Sequence, residues 1–224
     1  MSSRAKIKIS QHVALTTGED IMNENSWFYQ WRKPTEFLQR RTELSQEVDD
    51  ADHRTQGNKW SREAWVLGLF AVATGATDLR LMKNDPPDGQ VQLAGRVVPI
   101  EIVEAFEEGR QPDKEFKTGQ RKHLVTITEQ DHELRLIKCT IERTIRKKEE
   151  RGNYSNETVL VIYLNMGNDT RIPPSDVSEV VRAKSDQPSS KFDAICILWR
   201  NWLFGPKHIV KDGRVTIDLR LIED

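Results

Sequence analysis

Apolar positions along the chain follow two rhythms: one repeats every three or four residues, the other alternates or runs on unbroken. Residues 60–74 are apolar almost all round (Trp65, Val66, Leu67, Leu69, Phe70, Ala71, Val72), which predicts a helix buried against a sheet with Gly75 as its stop. Residues 129–151 place Leu134, Ile137, Ile141 and Ile145 on one stripe, which predicts a long amphipathic helix ended by Gly152 and Asn153. Between these two helices, 78–82, 91–93 and 97–105 read as strands, divided by the turn-rich stretch from Asn84 to Gly89 and by Gly95. On the third strand Val98, Ile100 and Ile102 point one way, and Val97, Pro99, Glu101 and Val103 the other, because successive strand side chains alternate faces. Residues 158–164, TVLVIYL, form a near-continuous apolar strand of the kind buried on both faces. A short helix over 176–184, a strand over 192–199, and a hairpin of 208–210 with 215–221 around Asp212 and Gly213 complete the pattern.

Upstream, the pattern thins. A short strand is expected at 6–9, an aromatic cluster occupies 26–31, and 33–54 reads as an exposed helix with Pro34 in its first turn and few apolar positions, Phe37, Leu38, Leu44 and Val48. Gly57 and Asn58 end it. A charged connection over 107–122 and a short strand over 124–127 precede the long helix. The expected division is an N-terminal arm and helix, 1–58, packed on an α/β domain, 59–224.

At 224 residues the chain suits one domain with flanking elements, and with 37% hydrophobic and 31% charged residues it has no apolar run near the roughly 18 needed to cross a bilayer. The first ten residues lack a secretory signal, so a cytoplasmic location and no membrane partner are expected. Cys139 and Cys196 have no metal-binding spacing and read as reduced core thiols. A net charge of −1 neither demands nor forbids a polyanionic partner. The five histidines form no paired-ligand spacing, and glycine-rich phosphate loops and nucleophile elbows are absent, which argues against nucleotide motors and serine hydrolases.

The order helix, three strands, helix, strand over 60–165, with Pro87-Asp88 followed by Glu101 in Pro99-Ile-Glu-Ile-Val103, resembles the PD-(D/E)xK nuclease superfamily. The resemblance implies an α/β fold with a restriction-endonuclease-like core (α-β-β-β-α-β) and a mixed central sheet, plus the N-terminal helical arm and the C-terminal β-hairpin. It also implies Asp88 and Glu101 as ligands of Mg²⁺ or Mn²⁺, because two carboxylates from adjacent strands offer hard oxygens while water and substrate complete the octahedron. The lysine that the family carries two residues beyond the second acid is Val103 here. Lys138 falls inside the stripe of the long helix and is the expected replacement, the alternative being a lysine that lays its stem on apolar surface. Lys148 lies near the stripe but suits the helix dipole. The resemblance also implies Glu63, at the start of the buried helix, as a supplementary acid, the alternative being an acid favoured there by the dipole alone.

Asp88 also suits a turn before Gly89, with Asp85 as a second choice from the same loop. Glu101 is costly to bury without a partner, so it holds either a metal or a basic side chain. Glu104 points to the opposite face. The literal PD…ExK string at 112–117 reads as a charged loop, its acids too close together to reach adjacent strands. The leading expectation is a Mg²⁺-dependent deoxyribonuclease with Asp88, Glu101, Lys138 and Glu63 in its site; DNA, or RNA, is the partner and a homodimer the quaternary option. The rivals are an inactive protein of the same fold that binds nucleic acid or a protein, and an unrelated α/β domain.

Overall fold

A computed structural model describes residues 26–47, 59–83, 86–110, 130–166, 173–185, 189, 191–210 and 214–217. Among them are a 3-10 turn (Ser26–Tyr29), helices α1 (Pro34–Glu47), α2 (Lys59–Thr74), α3 (Gln130–Arg151) and α4 (Pro174–Ser185), and strands β1 (Asp78–Leu81), β2 (Gly89–Leu93), β3 (Arg96–Ala105), β4 (Val159–Leu164), β5 (Ala194–Trp199), β6 (Trp202–Phe204) and β7 (Arg214–Thr216). The strands lie in chain order in one mixed seven-stranded sheet. β1, β2 and β3 form an antiparallel meander, β3, β4 and β5 are parallel, and β5, β6 and β7 are antiparallel again. A parallel pair needs a crossover, and α3 and α4 supply the two that this order requires.

Strand alternation sorts the core into two layers. Val98, Ile100, Ile102, Val159, Val161, Ala194, Cys196 and Leu198 join α1, α2 and Phe28 on one side of the sheet. Ala105, Leu160, Ile162, Ile195, Ile197 and Trp199 join α3 and α4 on the other. Five of the six residues of β4 and all six of β5 are buried, as their unbroken apolar runs predict. The aromatic cluster at 26–31 belongs to the first layer, where Phe28 meets Phe37 edge-on at 4.8 Å.

Local chemistry sets the boundaries. Pro34 opens α1, whose first bond runs from Phe37 N–H to the Lys33 carbonyl at 2.9 Å. Gly75, at φ 70°, closes α2 as the Ala76 N–H reaches back to the Ala71 carbonyl at 2.9 Å, a Schellman ending. Ala94 and Gly95, with φ of 50° and 78°, form the tight turn that twists β2 into β3.

The C-terminal hairpin differs from the expectation. Residues 206–210 form a turn, with Ile209 and Val210 N–H groups bonding the Pro206 carbonyl, and both side chains are buried without strand alternation. The strand that pairs with β7 is β6, in the WRNWLF stretch, reached through a turn at Arg200 with φ 55°. Cys139 is exposed on the outer side of α3 rather than in the core, whereas Cys196 is buried. The strands expected at 6–9 and 124–127, and the end of the helix expected to run to residue 54, lie outside the described residues. No helix among the described residues is long and apolar enough to cross a membrane.

Candidate functional site

The site begins where β2 stops. β2 pairs with β3 up to Gly89 opposite Ile100, while β4 continues alongside β3 to Ala105, so the far half of β3 has lost its ladder partner on the β2 side. Asp88, the residue before β2, fills that gap with its side chain: Oδ2 accepts the Ile102 N–H at 2.7 Å. The carboxylate is thereby carried to β3 and buried, with only 4% of the residue exposed. A buried N–H seldom stays unpaired, which gives Asp88 a structural reason to be where it is.

Glu101 projects from β3 toward α3, on the same face as Val103 and Ala105, and is 1% exposed. Its Oε1 accepts hydrogen bonds from Lys148 Nζ and from Tyr154 Oη, the latter at 3.1 Å. Its Oε2 is buried with no hydrogen-bond partner among the described residues. The tyrosine reaches this position because the chain turns at Gly152, where a Cβ would stand 1.7 Å from the Tyr154 ring. Phe192 supports the same ring from behind at 4.8 Å.

Helix α2 contributes Lys59 and Glu63, one turn apart on one face. Lys59 Nζ lies 2.9 Å from Glu63 Oε1, an ion pair whose angle is poor for a hydrogen bond, and donates to Asp88 Oδ1 at 3.4 Å. A cavity of about 80 Å³ opens beside this pair, lined by Lys59, Arg62, Glu63, Ile102, Glu104 and Tyr163.

The electrostatics follow from crowding acids in a place short of water. Burial, then the Asp88 charge, push the Glu63 carboxyl up to about 7 against the opposing pull of Lys59. Burial and then Asp88 also raise Glu101, while Lys148 and Tyr154 resist. Burial works against the Lys148 ammonium, but the Glu101 carboxylate outweighs it, and the lysine is held above its ordinary value. Tyr154 is raised by burial and by Glu101, and Tyr29 by burial and by Glu63. One carboxylate, Asp88, thus presses on both Glu63 and Glu101.

Asp88 therefore acts on both Glu63 and Glu101, but the expected lysine is replaced by another. Lys138 is exposed on α3, one position past the buried Ile137 and so turned about 100° from the sheet. The buried line of α3 runs through Ile137, Ile141 and Thr144 and ends at Lys148, which is the basic group that reaches Glu101. Lys148 serves the carboxylate rather than only the helix dipole. Glu104 takes the opposite face, as expected, where it binds Arg62 at 2.7 Å and Asn165 at 2.7 Å. Two participants were not anticipated, Lys59 and Tyr154; the i,i+4 spacing of Lys59 to Glu63 and the glycine two residues before Tyr154 are the signals that mark them. Asp85 and the string at 112–117 lie outside the described residues.

No family model matches the chain, and no curated protein matches it. Among solved structures it is similar to a protein of unknown function from Pseudomonas aeruginosa strain PAO1, described as belonging to the monooxygenase superfamily. The identity is 19%, the match covers 88% of this chain and 97% of the other, and the TM-score is 0.41. This corrects the family expected from the motif. No nuclease family model matches, and the strand position of the family lysine holds Val103, which packs into the apolar layer under α3. The assignments to the PD-(D/E)xK superfamily, to DNA phosphodiester hydrolysis and to an inactive nuclease-fold binder are corrected together. A likeness of this TM-score carries no monooxygenase chemistry over to the chain.

Proposed function

We propose that this α/β protein binds a hard divalent cation, Mg²⁺ or Mn²⁺, between Asp88 and Glu101, with Glu63 as a supplementary oxygen donor. The observation that carries the reading is Glu101 Oε2, a carboxylate oxygen buried with no hydrogen-bond partner among the described residues, in a carboxylate whose pKa is raised by burial and then by the Asp88 charge. Leaving such an oxygen unpaired is costly, and a cation is the partner that relieves both the desolvation and the mutual repulsion. The donors are all oxygens, which suits Mg²⁺ or Mn²⁺ over the nitrogen and sulfur sites that zinc prefers. Among the described residues no three acidic, histidine or cysteine side chains stand at metal-binding spacing. A Mg²⁺ site of one or two carboxylates completed by water requires no third.

Each neighbouring residue has a distinct part in this reading. The Ile102 N–H fixes the orientation of the Asp88 carboxylate by binding Oδ2. Lys148 and Tyr154 bind Glu101 through Oε1 and leave Oε2 to the cation. Glu63, held near neutral pH by burial and Asp88, gains its charge when a cation arrives. When bound, the cation supplies a Lewis-acid centre with water-filled coordination positions.

Titration with Mn²⁺, followed by electron paramagnetic resonance and by calorimetry, tests the reading. Binding is expected in the wild type and weakened by roughly tenfold or more in Asp88→Asn and Glu101→Gln, since loss of even an outer-shell partner costs that much. No binding by the wild type at millimolar Mn²⁺, or equal binding by wild type and both variants, refutes it.

A further inference from the structure

We propose that Lys59 is a tethered counter-ion that occupies the cation's place between Glu63 and Asp88, and that a divalent cation enters the site by displacing it. The inference rests on the cation reading above and says what that site holds before the cation arrives. The Lys59 ammonium lies 2.9 Å from Glu63 Oε1 and 3.4 Å from Asp88 Oδ1, bridging two carboxylates as a free monovalent cation would.

The two lysines of the site are not equivalent. The Lys148 side chain is 25% exposed, ends the buried line of α3 and is held at Glu101 Oε1 beside Tyr154. The Lys59 side chain is 53% exposed, sits on the first residue of α2 and makes its Asp88 contact at a long 3.4 Å. Lys59 can therefore withdraw into water without disturbing the core, whereas Lys148 cannot. Neither ammonium satisfies Glu101 Oε2, whose side chain is only 2% exposed; that oxygen is the buried, unpartnered donor waiting on a cation. A monovalent ion that replaced Lys59 would restore only the charge already there. A divalent ion adds one more positive charge and binds all the vacated oxygens, so Lys59 sets both the affinity and the preference for divalent ions.

Mn²⁺ affinity is measured for the wild type, Lys59→Met, Lys59→Gln and, as a control for general positive field, Arg62→Met, whose side chain pairs with Glu104 instead. In parallel, wild-type protein is labelled with a water-soluble amine-reactive ester with and without Mn²⁺, and the modified lysines are read by peptide mass spectrometry. Both Lys59 variants are expected to bind Mn²⁺ roughly tenfold tighter, within the range of one site coupled to another. Arg62→Met should stay close to wild type, and Mn²⁺ should raise labelling at Lys59. Intact binding of equal strength in wild type and Lys59 variants, an equal gain in Arg62→Met, or labelling of Lys59 that does not rise with Mn²⁺ overturns the displacement while leaving the cation site standing. Absence of Mn²⁺ binding in every protein overturns both.

Discussion

Replacing Glu63 by glutamine isolates the cost of crowding acids at the end of β2. Glu63 stands at about 7 in the folded chain against 4.5 for the free side chain, through burial first and Asp88 second. Between those values the folded chain holds a proton that the unfolded chain has lost. Stability is therefore greatest below pH 4.5, falls as pH rises through the window, and loses its last part near pH 7. The gap is worth about 3 kcal/mol at about 1.4 kcal/mol per pH unit. The glutamine keeps the shape of the protonated acid and cannot ionise. In urea unfolding with chelator present, Glu63→Gln should match the wild type at about pH 4 and exceed it by about 3 kcal/mol at about pH 8. Titration of the groups that do not interact with Glu63 cancels in that comparison, which is why the difference and not the absolute curve is the measurement. A difference that does not change with pH, or a variant less stable than wild type at the higher pH, would refute the placement of Glu63 beside Asp88.

Three further outcomes are expected. Lys148→Met strands the Glu101 carboxylate and should cost about 3–5 kcal/mol in chemical denaturation, most of it regained when Glu101→Leu is added, because a buried pair is costlier to break than to replace with apolar groups. Gly152→Ala pushes a methyl group into the Tyr154 ring; the expected loss is about 1–3 kcal/mol, and a double-mutant cycle should show it largely absent in a Tyr154→Ala background. Phe37→Ala removes a fully buried ring that packs against Phe28 and should cost about 3–5 kcal/mol by urea unfolding, whereas a loss under about 1 kcal/mol would mean that α1 is not part of the core.

Much of the α/β framework is legible before any coordinates. Helix α2 is apolar on nearly every side, β4 and β5 are unbroken apolar runs, and Gly75, Gly95 and Gly152 punctuate them, because burial on two sides and the need for unusual backbone leave marks in residue type. Glu101 is likewise legible as a buried acid from its place in VVPIEIV. The C-terminal hairpin is misread because Ile209 and Val210 have strand-like composition yet fold into a turn at Pro206, while the true strand, Trp202–Phe204, is only three residues long. So short an element has no period to detect.

What the chain's residues determine alone is which positions want burial and where the backbone must turn, since hydrophobicity and glycine's freedom belong to each residue by itself. That an α/β fold results, with Glu101 turned inward on β3, follows from those preferences. Tertiary structure decides the rest. It ends β2 at Gly89 so that Asp88 caps the Ile102 N–H, and it sets the rotation and the axial position of α3 so that Lys148 rather than Lys138 meets Glu101. It also brings Lys59 across 29 residues of chain to Asp88. Helix placement and strand termination are set by how whole faces pack: about 100° of rotation turns Lys138 from the sheet, and the rise of about 1.5 Å per residue decides which turn of the helix lies over Glu101.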